Sequence, residues 1–99
     1  MSEYKPLLKN FLDGEGKLKQ FPAKRKMKII ALFYLASFFE TGRQYTEQEV
    51  NLLLYQHHTF SDPATLRREL YDFHFLDRSA DGRVYTLAQP QPVMESFSL

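Results

Sequence analysis

The run from Ala23 to Glu40 contains no Pro and no Gly, and it limits the possible folds more than any other segment of the chain. Within it, residues 29–39 (IIALFYLASFF) are apolar apart from one serine. This pattern predicts one long helix, started by Pro22, ended by Gly42 and buried on most sides at the centre of the protein. The apolar run is too short to span a bilayer.

Length and composition allow one domain with a modest core, since the chain has 99 residues of which 43% are hydrophobic. The chain has no Cys, which excludes a disulfide framework, a zinc ribbon and a thiol nucleophile. Its first ten residues, MSEYKPLLKN, hold no apolar segment of signal-peptide length. We therefore expect a soluble, cytoplasmic protein that makes no membrane contact.

The segment before the long helix predicts two short elements. Residues 3–12 suggest a short helix with Pro6 in its first turn. After the turn at 13–16, residues 17–21 alternate polar and apolar side chains, as a short strand does.

Residues 46–57 predict the next helix. Thr46 and Glu49 have the spacing of a capping box, in which each side chain accepts a hydrogen bond from the other residue's amide. Tyr45, just before the cap, is placed to pack on Val50.

The last elements follow from caps and turns. Asp62 and Pro63 start a third helix that extends to about residue 73. Residues 75–87 predict a β-hairpin that turns at Asp81 and Gly82.

This order of elements predicts a mainly α protein with a small antiparallel β-hairpin, an α+β arrangement. More specifically, it is typical of a winged helix-turn-helix with an extra N-terminal helix, in which the third helix faces the major groove and the hairpin is the wing. Tyr45 is expected to add a third strand to the wing. We assign residues 1–88 to this domain and residues 89–99, which contain two prolines, to a C-terminal tail or ordered arm.

Six cations occupy residues 17–28, and no acid follows them before Glu40. Four ring the start of the long helix and are called the basic cluster here: Lys24, Arg25, Lys26 and Lys28. The helix dipole disfavours a cation at this end by roughly 0.3–1 kcal/mol, and the free amides there favour anions. The cluster therefore suggests contact with a phosphate backbone, the alternative being a solvated helix end.

The outward side of the third helix carries residue types that read DNA bases. The candidates are Ala64, Thr65, Arg67, Arg68 and Tyr71. Arginine binds guanine through two hydrogen bonds, and Ala or Thr contacts the thymine methyl. Alternatively, Arg68 pairs with Asp72, worth about 0.3–0.5 kcal/mol, and Arg67 pairs with Asp77, which leaves a structural or protein-contact role.

The wing and the histidines complete the candidates. Arg78 and Arg83 flank the hairpin turn and suit a minor-groove or phosphate contact, or else a charged edge that blocks aggregation. His57 and His58 are adjacent, so on a helix they diverge by about 100°, and no ligand set accompanies them or His74. We expect no metal and no cofactor.

The chain lacks a Gly-rich phosphate loop and a nucleophile elbow. We therefore expect no catalytic residues, no enzyme activity and no small-molecule ligand.

Three motifs carry a resemblance to a known family: G-x-L-K-x-x-P-A-K-R-K-x-K, F-x-x-G-R-x-Y-T-E-x-E-V-N and A-T-L-R-R-E-L-x-D-x-x-F-L-D-R. Over about residues 11–85 the chain resembles a bacterial family catalogued as domain of unknown function 2087. The resemblance implies a winged-helix-like domain, sometimes attached to bacterial transcription regulators, and implies no activity. One departure is His74, where the family often has glycine.

The leading hypothesis is a transcriptional regulator that binds double-stranded DNA with residues 62–73 in the major groove. A homodimer is expected, because one module buries too little surface for tight specific binding. The alternative is a protein-interaction or dimerisation module without DNA binding, favoured by the balance of −2 over residues 51–99 against +3 over residues 1–50. Its expected apolar anchors are Tyr71, Val93, Met94, Phe97 and Leu99.

Overall fold

Three helices and a three-stranded antiparallel sheet form the fold of residues 3–98, the part of the chain that the computed structural model describes. The helices are α1 (Arg25–Ala36), α2 (Glu47–Tyr55) and α3 (Pro63–Asp72). The strands are β1 (Tyr45–Thr46), β2 (Leu76–Arg78) and β3 (Val84–Leu87). This α+β combination confirms the predicted fold class and is consistent with a winged-helix-like fold.

Helix α1 forms the centre of the core, as its apolar run predicts: residues 29–36 are all buried. Its ends differ from the prediction. Lys24 is extended (φ −73°, ψ 136°) and acts as the N-cap, so Pro22 precedes the helix. After Ala36 the amides of Phe38 and Phe39 donate to carbonyls three residues earlier, which is the 3₁₀ pattern. The α-helix therefore ends before Gly42.

The segment before α1 forms less regular structure than predicted. A three-residue 3₁₀ helix (Pro6–Leu8) stands where a helix over residues 3–12 was expected, and the extra N-terminal helix is not confirmed. Residues 17–21 form no strand; Leu18 makes single β-bridges to Leu12 and His58. A helix over residues 3–12 alone would form too few hydrogen bonds to offset the cost of nucleation. Tertiary contacts therefore determine the conformation of this segment.

The capping box of α2 is confirmed. The Glu49 amide donates to Thr46 Oγ1 (3.1 Å), and the Thr46 amide donates to Glu49 Oε1 (2.9 Å). Helix α2 ends at Tyr55, two residues before the predicted end. Val50 and Leu54 on its inner side are fully buried.

Helix α3 begins as the sequence predicts, with Asp62 Oδ1 accepting the Thr65 amide (3.2 Å) and Pro63 in the first position. Leu66 and Leu70 bury its inner side. His74 then adopts a left-handed backbone conformation (φ 70°), which turns the chain from α3 toward β2.

The sheet has the strand order β1-β3-β2. Tyr45 pairs with Tyr85 and Leu76 pairs with Leu87, so the predicted third strand of the wing is confirmed. In the loop between β2 and β3, Asp81 Oδ1 accepts hydrogen bonds from the Ser79 hydroxyl and the Arg83 amide.

The C-terminal tail is an ordered arm that lies back across the core. The Gln91 side-chain amide donates to the carbonyls of Phe75 (2.8 Å) and Ala88 (2.9 Å). Farther along, the Phe97 ring lies 6.0 Å, centre to centre, from the rings of Phe33 and Phe75. The tail thereby covers the apolar junction of α1 with the segment that follows α3.

Candidate nucleic-acid interface

The outward side of α3 presents most of the residues predicted for it. Ala64 and Arg68 are exposed, and Thr65 and Tyr71 are half-buried. They occupy the side of the helix away from Leu66 and Leu70, as the 3.6-residue period requires. Ala64 and Arg68 are therefore both accessible to a macromolecule that binds this face of the helix.

Arg67 makes contacts other than those predicted. Its guanidinium donates to Asn51 Oδ1 and lies 3.9 Å from Glu47 Oε1, both on α2, and its side chain is only 17% exposed. No ion pair with Asp77 forms, because position 67 lies on the flank of α3 that packs toward α2. Arg67 is therefore held against the protein surface, whereas its neighbour Arg68 extends from it.

The predicted Arg68–Asp72 pair is also not formed. Within residues 3–98 the ion pairs are Lys17–Glu15, Lys28–Glu69, Arg43–Glu40 and Arg67–Glu47. The Arg68 charge thus has no ion-pair partner in the described chain, although it contributes, as a minor cause, to the lowered pKa of Asp62, which chiefly reflects hydrogen bonding from Thr65.

The two wing arginines lie beside different surfaces. Arg78 reaches back to α3, where its guanidinium carbon lies 4.5 Å from the centre of the Tyr71 ring, a cation–π contact. Interaction with the Tyr85 side chain is the main cause that raises the pKa of Arg78. Arg83, at the wing tip, is exposed and borders a depression beside the N-terminus of α2.

A cleft of about 180 Å³ lies between α3 and the wing, and we call it the arginine cleft. It is lined by Ala64, Arg67, Arg68, Tyr71, Arg78 and Tyr85, and no carboxylate is among these residues. Five of the six were predicted as site residues. Tyr85 was not predicted. It pairs with Arg78 across the hairpin, and finding it from the sequence would require the strand register.

The basic cluster is partly used in tertiary contacts. Lys28 Nζ lies 3.3 Å from Glu69 Oε1 on α3 and 5.5 Å from the centre of the Phe21 ring. Arg25 donates to the Phe97 carbonyl of the tail (2.9 Å). Lys24 and Lys26 are exposed and form none of the described ion pairs. Two of the four cations are therefore available to an external anion at the start of α1.

The histidines have structural contacts. His58 is buried; its Nδ1 donates to the Leu54 carbonyl (2.6 Å) and its Nε2 accepts the Asp62 amide (3.0 Å), which joins the end of α2 to the cap of α3. His57 stacks on Phe38 with ring centres 3.6 Å apart, and burial, assisted by Lys17, lowers the pKa of His57.

Residues 3–98 contain neither a metal-ligand cluster nor a membrane span. No group of three or more His, Asp or Glu side chains there is arranged to hold a metal ion. No helix in the same range is long and apolar enough to cross a membrane.

Comparison with known proteins gives one match. No curated protein and no solved structure matches the chain. A family model described as an uncharacterized protein conserved in bacteria (DUF2087) matches residues 17–87, which extend from before α1 to the end of β3. Because the match covers most of the chain, this protein belongs to that bacterial family of uncharacterized proteins.

Proposed function

We propose that this protein is a DNA-binding transcriptional regulator that inserts α3 into the major groove of double-stranded DNA. The observation that carries the proposal is the combination of an exposed helix face bearing Ala64 and Arg68 with Arg78 of the wing beside it. Arg68 bonds to base edges, Ala64 allows close approach, and the wing lies along the backbone.

Exposed cations on the elements next to α3 support the proposal. Lys24 and Lys26 stand exposed at the start of α1, which the Lys28–Glu69 ion pair joins to α3. Arg83 stands exposed at the wing tip. In this arrangement they contact phosphates on either side of the groove, and such contacts supply most of the non-specific affinity. A homodimer adds the second half-site that tight specific binding needs.

The test is the fluorescence anisotropy of a labelled mixed-sequence duplex titrated with the protein at low and at moderate salt. We expect micromolar affinity at low salt that weakens steeply as salt rises, with a slope in log Kd against log salt that counts the phosphates contacted, at about 0.9 each. Absence of binding at low salt would exclude the proposed function.

A charge placed on α3 tests the binding surface. Ala64→Glu puts a carboxylate where the duplex would lie, and it is compatible with the first turn of a helix, which favours acids. We expect this variant to lose at least tenfold in affinity. Gln44→Glu, in the exposed loop before β1, adds the same charge elsewhere and should bind like the wild type. Equal affinity of the two variants would place DNA on another surface.

A protein-interaction or dimerisation module without DNA binding is the second candidate, favoured by two apolar side chains on the outer side of α2. Leu52 is 59% exposed and Tyr55 is 49% exposed. The anchors expected from the sequence support this role less: Phe97 packs inward, Met94 is half-buried, Tyr71 lies under Arg78, and only Val93 is exposed, while Leu99 lies outside the described residues.

Sedimentation velocity over a range of concentrations, together with the duplex titration, tests the second candidate. A dimer through α2 predicts association that Leu52→Ser abolishes, whereas Val93→Ser, another exposed apolar position, leaves it unchanged. A protein that stays monomeric without DNA and binds DNA would exclude the second candidate.

A further inference from the structure

We propose that the arginine cleft is a binding site for a single phosphate group. The proposal rests on the proposed function for the source of that group, a phosphodiester of the DNA backbone. It assigns Arg67 and Arg78 to holding the backbone at the junction of α3 and the wing, rather than to reading bases.

The size of the cleft favours one small group. Its volume of about 180 Å³ corresponds to roughly six water molecules at about 30 Å³ each. Sites for drug-sized ligands begin at about 300 Å³. A phosphate with its oxygens therefore fits, whereas a base pair or a larger organic ligand does not.

Two of the three arginines make side-chain contacts that orient them before any ligand binds. Arg67 is fixed by its hydrogen bond to Asn51 and is mostly buried. Arg78 is exposed, and its guanidinium stacks on the Tyr71 ring. A guanidinium has five N–H donors, and these contacts leave several of them free in each case. Because the Arg67 side chain has little entropy left to lose, a bidentate contact with a phosphate is favoured.

The charge of the cleft favours an anion. Its lining carries three arginines, two tyrosine hydroxyls and no carboxylate. The acid that contacts one of its arginines, Glu47, lies 3.9 Å from Arg67 on the α2 side and is not part of the lining. Two phenol hydroxyls and three guanidinium groups offer more hydrogen-bond donors than the two oxygens of a carboxylate can accept. A phosphate has more oxygens and therefore matches this set of donors better.

The experiment follows the arginine Nε–H signals in ¹H–¹⁵N NMR spectra of the full chain. Inorganic phosphate is titrated against sodium chloride at equal ionic strength, and the duplex is titrated separately. We expect phosphate and duplex each to shift the signals of Arg67, Arg68 and Arg78. The Arg43 signal should not move, because Arg43 pairs with Glu40 outside the cleft.

Two variants and a control complete the design. Arg78→Gln should weaken phosphate binding and lower duplex affinity about tenfold or more, the usual effect of losing a hydrogen bond to a charged group. It should also reduce the salt slope by about 0.9, one phosphate contact. Arg43→Gln, which removes the same charge elsewhere, should change neither. If Arg78→Gln unfolds by circular dichroism, Arg78→Lys replaces it, which keeps the charge but removes the bidentate fork and should still weaken phosphate binding.

The outcomes separate this inference from the proposed function. Shifts in the cleft with both ligands, weakened by Arg78→Gln, support both. Shifts with phosphate but no duplex binding support the phosphate site, filled by a free phosphate group, and exclude DNA binding. Duplex binding that leaves the cleft signals and the Arg78→Gln affinity unchanged overturns the phosphate site alone. No effect of either ligand overturns both.

Discussion

Arg67 and Arg68 are adjacent and chemically identical, yet they have different environments. One is 17% exposed and bonded to α2, and the other is exposed without an ion pair in the described chain. Their directions differ by about 100° because they are successive residues of a helix. The sequence predicts that divergence, but the partners of Arg67 lie 16 and 20 positions earlier, on an element whose packing angle no local pattern specifies.

Backbone strain at His74 gives the first prediction. Its φ of 70° lies in the left-handed region, which costs an L-residue about 1 kcal/mol and glycine almost nothing. His74→Gly should therefore stabilise the protein by about 0.5–1 kcal/mol in urea unfolding. The matched control is Lys9→Gly, at an exposed position with φ −55°, which should not stabilise. A lower midpoint for His74→Gly would mean that the imidazole makes a stabilising contact.

The stacked His57 gives a prediction about pH. Burial lowers the pKa of His57 in the folded state below its value of about 6.5 in the unfolded chain, so the unfolded state binds more protons in acid. The free energy of unfolding should be highest above about pH 7 and fall as the pH drops through 6.5 toward the folded-state pKa.

His57→Gln should flatten this decline between pH 7 and 5, measured by urea unfolding. His74→Gln, which removes an exposed histidine, should retain the slope. A slope that both variants share with the wild type would assign the pH dependence to other groups.

At the scale of single elements, helix starts followed the sequence where a side chain caps them. The caps at Thr46 and Asp62 bond within three residues, so local spacing is enough to specify them. Helix α1 has no side-chain cap, and its start shifted from the predicted position, as did its end. Without a capping group the boundary depends on which residues the core buries.

The capping box predicts a measurable loss. Thr46→Ala removes the acceptor of the Glu49 amide and should lower the free energy of unfolding by about 1 kcal/mol. Thr41→Ala makes the same chemical change in an exposed turn and should have an effect within about 0.5 kcal/mol of zero. Equal effects in urea unfolding would show that the capping hydrogen bonds stabilise α2 no more than hydrogen bonds from these groups to water do.

At the scale of the whole molecule, the tail contributes to the core. Phe97 contacts Phe33, Phe73 and Phe75, although it lies beyond the residues that match the family. Phe97→Ala should destabilise the protein by about 2 kcal/mol, less than the roughly 3–5 kcal/mol typical of a fully buried Phe, since Phe97 is partly exposed.

The control for this prediction lies in the same tail. Val93→Ala removes an apolar side chain that is 57% exposed and should change stability little. The measurement is the free energy of unfolding of the two variants in urea. A Phe97→Ala protein as stable as the wild type would show that the tail does not stabilise the core in solution.

The central helix, both capped helices, the wing and its third strand could be predicted from the sequence, because they depend on side-chain periodicity and on hydrogen bonds between residues close in the chain. Contacts between distant segments could not be predicted in this way: Lys28 pairs with Glu69, Arg67 bonds to α2, and the tail returns to the core. The arginine cleft belongs to this second group. Its lining comes from α3 and two strands, and their approach follows from burying Leu66, Leu70 and Phe75 together, a packing result with no local signature.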